Sequence, residues 1–236
     1  MGMFLTSVLL STVGALVALL TGRSESTAKI LGCSIGAFAS LLALMSGLQA
    51  LFGPVATFSS GTLFFDFSLR LDPLAGVLVS VISTLAFVAW VYGFSYFDDY
   101  KGKGIGAMCF FMNLFIASMD LVITSDNAFW FLVFFEMMSL TSYFLVVTDQ
   151  DKASILGGFM YLVMAHIGFF MIMISFFIMA GIPGSFDFSV FRAAKFDPGI
   201  ASLIFMLAFL GFGFKAGMIP FHSWLPQAHP AAPSNV

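Results

Sequence analysis

The chain has 236 residues, of which 60% are hydrophobic and only 9% charged, with a formal net charge of -3 at pH 7. A water-soluble domain carries about 25% charged residues, so this composition, with a mean hydropathy of +1.04, excludes one. The small net charge and the absence of a Lys/Arg cluster also argue against a nucleic-acid partner, and leave the lipid bilayer as the surroundings of most side chains.

Apolar runs bounded by polar, Gly or Pro punctuation fall at about 3–21, 30–52, 74–96, 105–124, 128–147, 154–181 and 199–219. A span needs about 20 residues to cross about 30 Å of hydrocarbon, and every run is close to that length. The runs lack the alternation of an outer-membrane barrel, and lipid offers no partner for an open strand edge, so each is expected to be a helix. The predicted fold class is an all-α polytopic membrane protein with about seven transmembrane helices.

The first run has no basic residue ahead of it, since Arg23 follows it; it reads as a retained helix rather than a secretory signal. Cys33 and Cys109 sit in separate apolar runs, and two thiols build neither a disulfide framework nor a four-thiolate iron–sulfur site. Between the second and third runs, Phe65, Phe67, Leu69 and Leu71 alternate with Asp66, Ser68, Arg70 and Asp72. That period of two predicts a hairpin-like surface loop near 61–72. Residues 1–104 are thus expected to form a three-helix segment, and 105–236 to hold helices four to seven.

After the Pro183-Gly184 turn, residues 185–194 bring Phe188, Phe191 and Arg192 into helical spacing, as in a short interfacial helix. The first, third and fifth loops carry Arg23, Lys29, Lys101, Lys103 and Lys152; the second, fourth and sixth carry Arg70, Arg192 and Lys195. The excess of basic residues in the first set predicts an N-terminus outside the cell.

Ionisable groups at bilayer depth cost about 2.5–3.5 kcal/mol each and mark function. Glu136 lies near the middle of the fifth run, with Ser139 and Tyr143 following it on one face. Lys215 lies in the seventh, among Gly211, Gly213 and Gly217, with Pro220 five positions on. Pro220 has no N–H for the carbonyl of Ala216, so the seventh helix is predicted to break near Pro220 and Gly217 and to leave free carbonyls beside the ammonium. Such backbone is tolerated only inside protein or along a wet cavity, which puts Lys215 within the bundle.

His222 and His229 follow Lys215 at intervals of seven, and imidazole can accept at one nitrogen while donating at the other, as a proton relay requires. Pro226, Pro230 and Pro233 make a straight helix through them only an approximation. His166, in the sixth run, has Leu162, Val163, Phe169 and Phe170 as neighbours and reads either as a core histidine or as a relay member. Asp120, near the end of the fourth run, is expected to reach the interface. Histidines alone could ligate haem iron, but no HExxH, carboxylate–histidine spacing or phosphate-binding glycine loop accompanies them. Neither a resident cofactor nor a metal is expected in this chain.

The stretch FFEMMSLTSYFLVVTDQDKAS, followed by GFGFKAGMIPFHSWLPQAHPAAPS, resembles the antiporter-like proton-conducting subunits shared by respiratory complex I, Mrp-type cation/proton antiporters and membrane-bound hydrogenases. The likeness extends through KGKGIGAMCFFMNLFIASM and DNAFWFLVFFEMMSL, and looks strongest toward the hydrogenase-4 branch. The resemblance implies a central proton-transfer pair at Glu136 and Lys215, with His222 and His229 matching histidines after the broken helix. It also implies that the chain corresponds to the first part of a fold of two inverted repeats, with 105–236 as the first part of the channel repeat, helices four to seven and the start of an eighth.

As implied partners, it brings other membrane-arm subunits and a peripheral redox arm holding iron–sulfur clusters and, in a hydrogenase-type complex, a NiFe centre, in a bacterial or archaeal cytoplasmic membrane. In this view the chain couples electron transfer elsewhere to proton movement, as a subunit of an oxidoreductase complex without a redox centre of its own. A structural anchor with a vestigial channel and an Mrp-type antiporter subunit are the alternatives.

Overall fold

The computed structural model describes residues 1–61 and 66–234. In chain order it contains α1 (Gly2–Leu20), α2 (Glu25–Phe52), β1 (Ala56–Ser60), β2 (Phe67–Leu71), α3 (Pro73–Tyr96), α4 (Ile105–Thr124), α5 (Ala128–Val146), α6 (Lys152–Gly181), α7 (Phe188–Ala193), α8 (Pro198–Ala216) and α9 (Leu225–Ala228). Among the described residues, seven helices are long and apolar enough to cross a membrane. They coincide with the seven apolar runs, because in lipid the length of a hydrophobic stretch and the length of its helix answer to one bilayer thickness.

Polar residues at the edges of the runs set where the helices begin. Asp72, Asn127, Asp151 and Asp197 each accept a backbone N–H from the first turn of α3, α5, α6 and α8 at 2.7–3.0 Å. Pro73 and Pro198 occupy first-turn positions, where a missing N–H leaves no ladder bond unmade.

β1 and β2 form an antiparallel pair, with Ala56 opposite Leu71 and Ser60 opposite Phe67; β2 falls within the 61–72 stretch expected to be hairpin-like, and β1 precedes it. Its second strand buries Leu69 and Leu71, as the alternation requires; Phe65, assigned to the same strand from the sequence, lies outside the described residues. The hairpin sits at the end of the bundle where α4 turns into α5: Asp126 N–H donates to the Ser68 carbonyl at 3.0 Å. The short helix α7 docks at that same end, with Phe188 N–H donating to the Asp126 carbonyl at 3.2 Å and Asn127 Nδ2 to Asp187 Oδ1 at 2.9 Å. Lys29, Lys101 and Asp98 form ion pairs with one another elsewhere, and Lys103 joins Asp149 at 2.7 Å, tying the α3–α4 connection to α2 and to the α5–α6 connection.

Small residues let the helices approach, since lipid provides no hydrophobic drive between them and close contact must do so instead. In the first four helices Gly14 of α1 faces Ile35 of α2 and Asn113 of α4, Gly32 of α2 faces Ala18 of α1 and Cys109 of α4, and Gly36 of α2 lies against the Trp90 ring of α3. Helix α4 also packs on α5, joining this group to α5, α6 and α8. The crossing of α6 and α8 is the tightest of these for the site: a Cβ on Gly168 would fall 2.6 Å from the Gly211 carbonyl oxygen, and one on Gly211 2.7 Å from that of Gly168. Asp120, expected at the interface, is instead buried in α4 at 3% exposure. Its helix packs against α1, α2, α3 and α5.

The seventh transmembrane helix ends earlier than Pro220 predicts. Helix α8 stops at Ala216, Gly217 takes the left-handed conformation at φ 68°, and Met218 N–H closes back on the Gly213 carbonyl at 2.9 Å. This is a glycine helix stop, which a side chain at that φ would oppose. The chain therefore leaves the helix three residues before the proline, whose bond with Ile219 is cis.

Candidate functional site

Three helices converge on the polar centre. Helix α5 supplies Glu136, Ser139 and Ser142, α6 supplies Tyr161 and His166, and α8 supplies Lys215 close to its glycine stop. The Gly168–Gly211 crossing fixes α8 against α6 four residues before Lys215, so the ammonium has little freedom in depth.

Lys215 Nζ donates to Ser139 Oγ at 2.9 Å and to Tyr161 Oη at 2.6 Å. An ammonium can only donate, so the direction of the chain behind it follows. Tyr161 O–H donates onward to Ser142 Oγ at 2.6 Å, and Ser142 to the Ser139 carbonyl at 3.0 Å, while Ser139 donates to the Phe135 carbonyl at 3.0 Å. Both branches end on carbonyls of α5. Nζ also lies 4.8 Å from the Tyr161 ring centre and 5.6 Å from that of Phe135, within cation–π range. Charge-assisted bonds of this kind are about twice as strong as neutral ones, and they seat the cation without a carboxylate.

Glu136 takes a different partner. Its Oε1 lies 2.9 Å from His166 Nε2, and the other imidazole nitrogen, Nδ1, lies 2.8 Å from the Leu162 carbonyl one turn back along α6. Among the described residues no ion pair joins Glu136 to Lys215. The Glu136–Lys215 pairing expected from the resemblance is thus replaced by two adjoining units, Glu136–His166 and Lys215–Tyr161–Ser139, with Ser139 one turn of α5 from Glu136. Glu136 Oε2 is buried without a partner. Tyr143, expected on the same polar face, packs its ring on Gly158 of α6 instead.

Beyond the glycine stop, Trp224 closes the site. Its Nε1–H donates to the Phe214 carbonyl at 3.1 Å, which also accepts from the Gly217 N–H at 3.3 Å, and its ring centre lies 5.0 Å from that of Tyr161. His229 stacks on Trp224 with ring centres 6.3 Å apart. A cavity of about 230 Å³ is lined by Lys215, Tyr161, Ser142, Trp224 and His229. His222 lies outside it on an exposed stretch. The heptad spacing of Lys215, His222 and His229 does not align them, since no helix runs between Ala216 and Leu225.

Sequence reasoning found Glu136, Lys215, His166 and His229, and missed Tyr161, Ser142 and Trp224. A signal was available for the first of these: Tyr161 and His166 are polar interruptions in the otherwise apolar middle of α6.

A lysine at a helix stop beside a half-buried carboxyl–imidazole pair, within seven helices of membrane-spanning length, defines a class, that of polytopic membrane proteins with ionisable groups inside the bundle. Residues 125–236 match the NADH:quinone oxidoreductase/Mrp antiporter transmembrane family. Over 181 residues the chain is 54% identical to hydrogenase-4 component B of Escherichia coli (strain K12), which covers 77% of this chain and 27% of that protein.

In fold it is similar to a chain of the membrane-bound sulfane sulfur reductase, an archaeal respiratory membrane complex, with a TM-score of 0.87 at 18% identity over 98% of this chain and 48% of the other. It is also similar to a chain of the Mrp complex from Dietzia sp. DQ12-45-1b, with a TM-score of 0.82 at 22% identity over 98% of this chain and 25% of the other. The chain belongs to the antiporter-like membrane subunit family. It spans about a quarter of the length of hydrogenase-4 component B.

Proposed function

We propose that this chain moves protons as part of an antiporter-like subunit in a hydrogenase- or complex I-related membrane complex. The observation that carries the reading is the seat of Lys215: an ammonium held at bilayer depth by two hydroxyls, 2.9 and 2.6 Å away, with a carboxyl–imidazole pair one helical turn from its Ser139 anchor. Isolated intramembrane cations are costly and are kept where ions pass. Similarity to hydrogenase-4 component B supports the same reading.

In this mechanism Lys215 is the central proton carrier. An ionised Glu136 close by holds the proton on the amine; neutralising Glu136, or drawing it away, lets the amine release it into the cavity shared with His229. The energy comes from electron transfer in partner subunits, whose redox arm carries iron–sulfur clusters and, in a hydrogenase-type complex, a NiFe centre. Other membrane-arm subunits flank the chain in a bacterial or archaeal cytoplasmic membrane, and the basic residues of the first, third and fifth loops support an N-terminus outside. His222, outside the cavity on the stretch between α8 and α9, serves in this scheme only at the exit.

The experiment is reconstitution of the full-length protein within its complex, carrying Lys215→Ala. Proton uptake into proteoliposomes is expected to drop on the order of 10²-fold, the scale of losing one proton-transfer group, while the assembled complex is still isolated intact. Undiminished uptake by an intact complex refutes the reading.

A further inference from the structure

The bonds at His166 determine where its protons are. The Leu162 carbonyl can only accept, so Nδ1, 2.8 Å away, carries a hydrogen. That leaves Nε2 facing Glu136 Oε1 at 2.9 Å. Two bare acceptors at that distance repel, so one proton lies between them, on the imidazole or on the carboxyl. Both arrangements, imidazolium with carboxylate and imidazole with carboxylic acid, are neutral as a pair. Passing between them breaks one N–H bond and forms one O–H bond with no other change.

This has a consequence for Lys215. While the pair holds its proton, the pair presents no net charge to the ammonium, which is supported by the Ser139 and Tyr161 hydroxyls and by the Tyr161 and Phe135 rings. Once the pair loses that proton, Glu136 becomes an uncompensated carboxylate one turn of α5, about 5 Å, from Lys215's anchor. Its unpartnered Oε2 is then free to take the ammonium.

Resting on the proton-transfer reading above, we propose that His166 is a functional proton-sharing partner of Glu136, which competes with Lys215 for the carboxylate and sets when Lys215 may release. The titratable groups around the pair come from each packed helix: Glu136 and Tyr143 from α5, Tyr161 from α6, Lys215 from α8, and Asp120 from α4. Tyr161 is engaged with Lys215 and Ser142. Asp120 is bonded to neither member of the pair, and its Oδ1 has no partner. Among the described residues no second cation is therefore bonded to Glu136 in place of His166.

The test uses the full-length protein in its complex. His166→Gln keeps a side-chain N–H toward Glu136 but has no proton to exchange. Proton translocation is expected to fall on the order of 10²-fold, and the pH profile of the residual flux to lose the limb that follows imidazole titration. His166→Lys restores an exchangeable cation and is expected to recover part of the flux. Because His166 acts through Glu136, Glu136→Gln with His166→Gln should be no slower than Glu136→Gln alone.

Flux and pH profile unchanged in His166→Gln, with Lys215→Ala inactive, overturn the proposal and leave the proton-transfer reading intact. If Lys215→Ala is fully active, both fall. Should His166→Gln not assemble, infrared difference spectra of the unsubstituted complex decide. A carboxylic C=O band that rises without loss of imidazolium bands from isotope-labelled histidine overturns the proposal, and concerted change supports it.

Discussion

The depth of Lys215 depends on a contact with no charge in it, and this gives a sharp prediction. Gly211→Ala adds one methyl where α8 crosses α6. That carbon would lie 2.7 Å from the Gly168 carbonyl oxygen, 2.7 Å from Ile172 Cγ1 and 3.0 Å from the Ile172 nitrogen. Two of the three neighbours are helix backbone atoms, and ordinary contact begins near 3.4 Å, so the helices must part by several tenths of an ångström. Overpacking of this kind costs about 1–3 kcal/mol, against about 1 kcal/mol gained from replacing Gly by Ala within a helix.

Gly181→Ala, at the end of α6 with nothing within 4 Å of the added carbon, is the control that takes the propensity gain without the clash. The purified full-length protein in detergent should therefore melt lower for Gly211→Ala than for Gly181→Ala. Proton flux should fall too, because the Lys215–Tyr161 bond of 2.6 Å lies one turn beyond the crossing. Equal melting temperatures for the two variants would refute the argument that close α6–α8 approach positions the lysine.

Three further outcomes are expected. Tyr161→Phe removes an acceptor from an ammonium and should cost about 1.5–3 kcal/mol, seen as a lower melting temperature and reduced flux in an assembled complex; a variant indistinguishable from the parent in both would count against the hydroxyl seat. Asp151 caps α6 through the Ser154 N–H, and that bond holds its carboxyl below the usual carboxylate range. Its contribution is present at neutral pH and is lost as pH falls through the folded value, so Asp151→Asn, which keeps a capping oxygen but cannot titrate, should flatten the acid limb of a melting-temperature profile. Asn127→Ala removes both the cap on α5 and the bond to Asp187; about 0.5–2 kcal/mol for the cap should be lost, with faster amide exchange in α7 than in α3.

Much of the architecture was legible in the chain because lipid imposes few choices. Seven apolar runs became seven helices, Asp72, Asn127, Asp151 and Asp197 marked their starts, and the alternation ending at Leu71 marked a strand. Glu136 and Lys215 stood out for the same reason, since a charge in a hydrophobic run has no cheap alternative to an interior role.

Which groups those charges meet was decided only by tertiary structure. Glu136 meets His166 because α5 packs on α6, and Lys215 meets Tyr161 because the crossing at Gly168 and Gly211 sets α8 against α6. Neither is a property of spacing along one helix. Of the two residues expected at the helix break, Gly217 ends the helix by its left-handed conformation, three residues ahead of Pro220. Composition and periodicity settle which residues must be inside a membrane protein. Pairing depends on how close two backbones can come, and that is a property of the packed helices together.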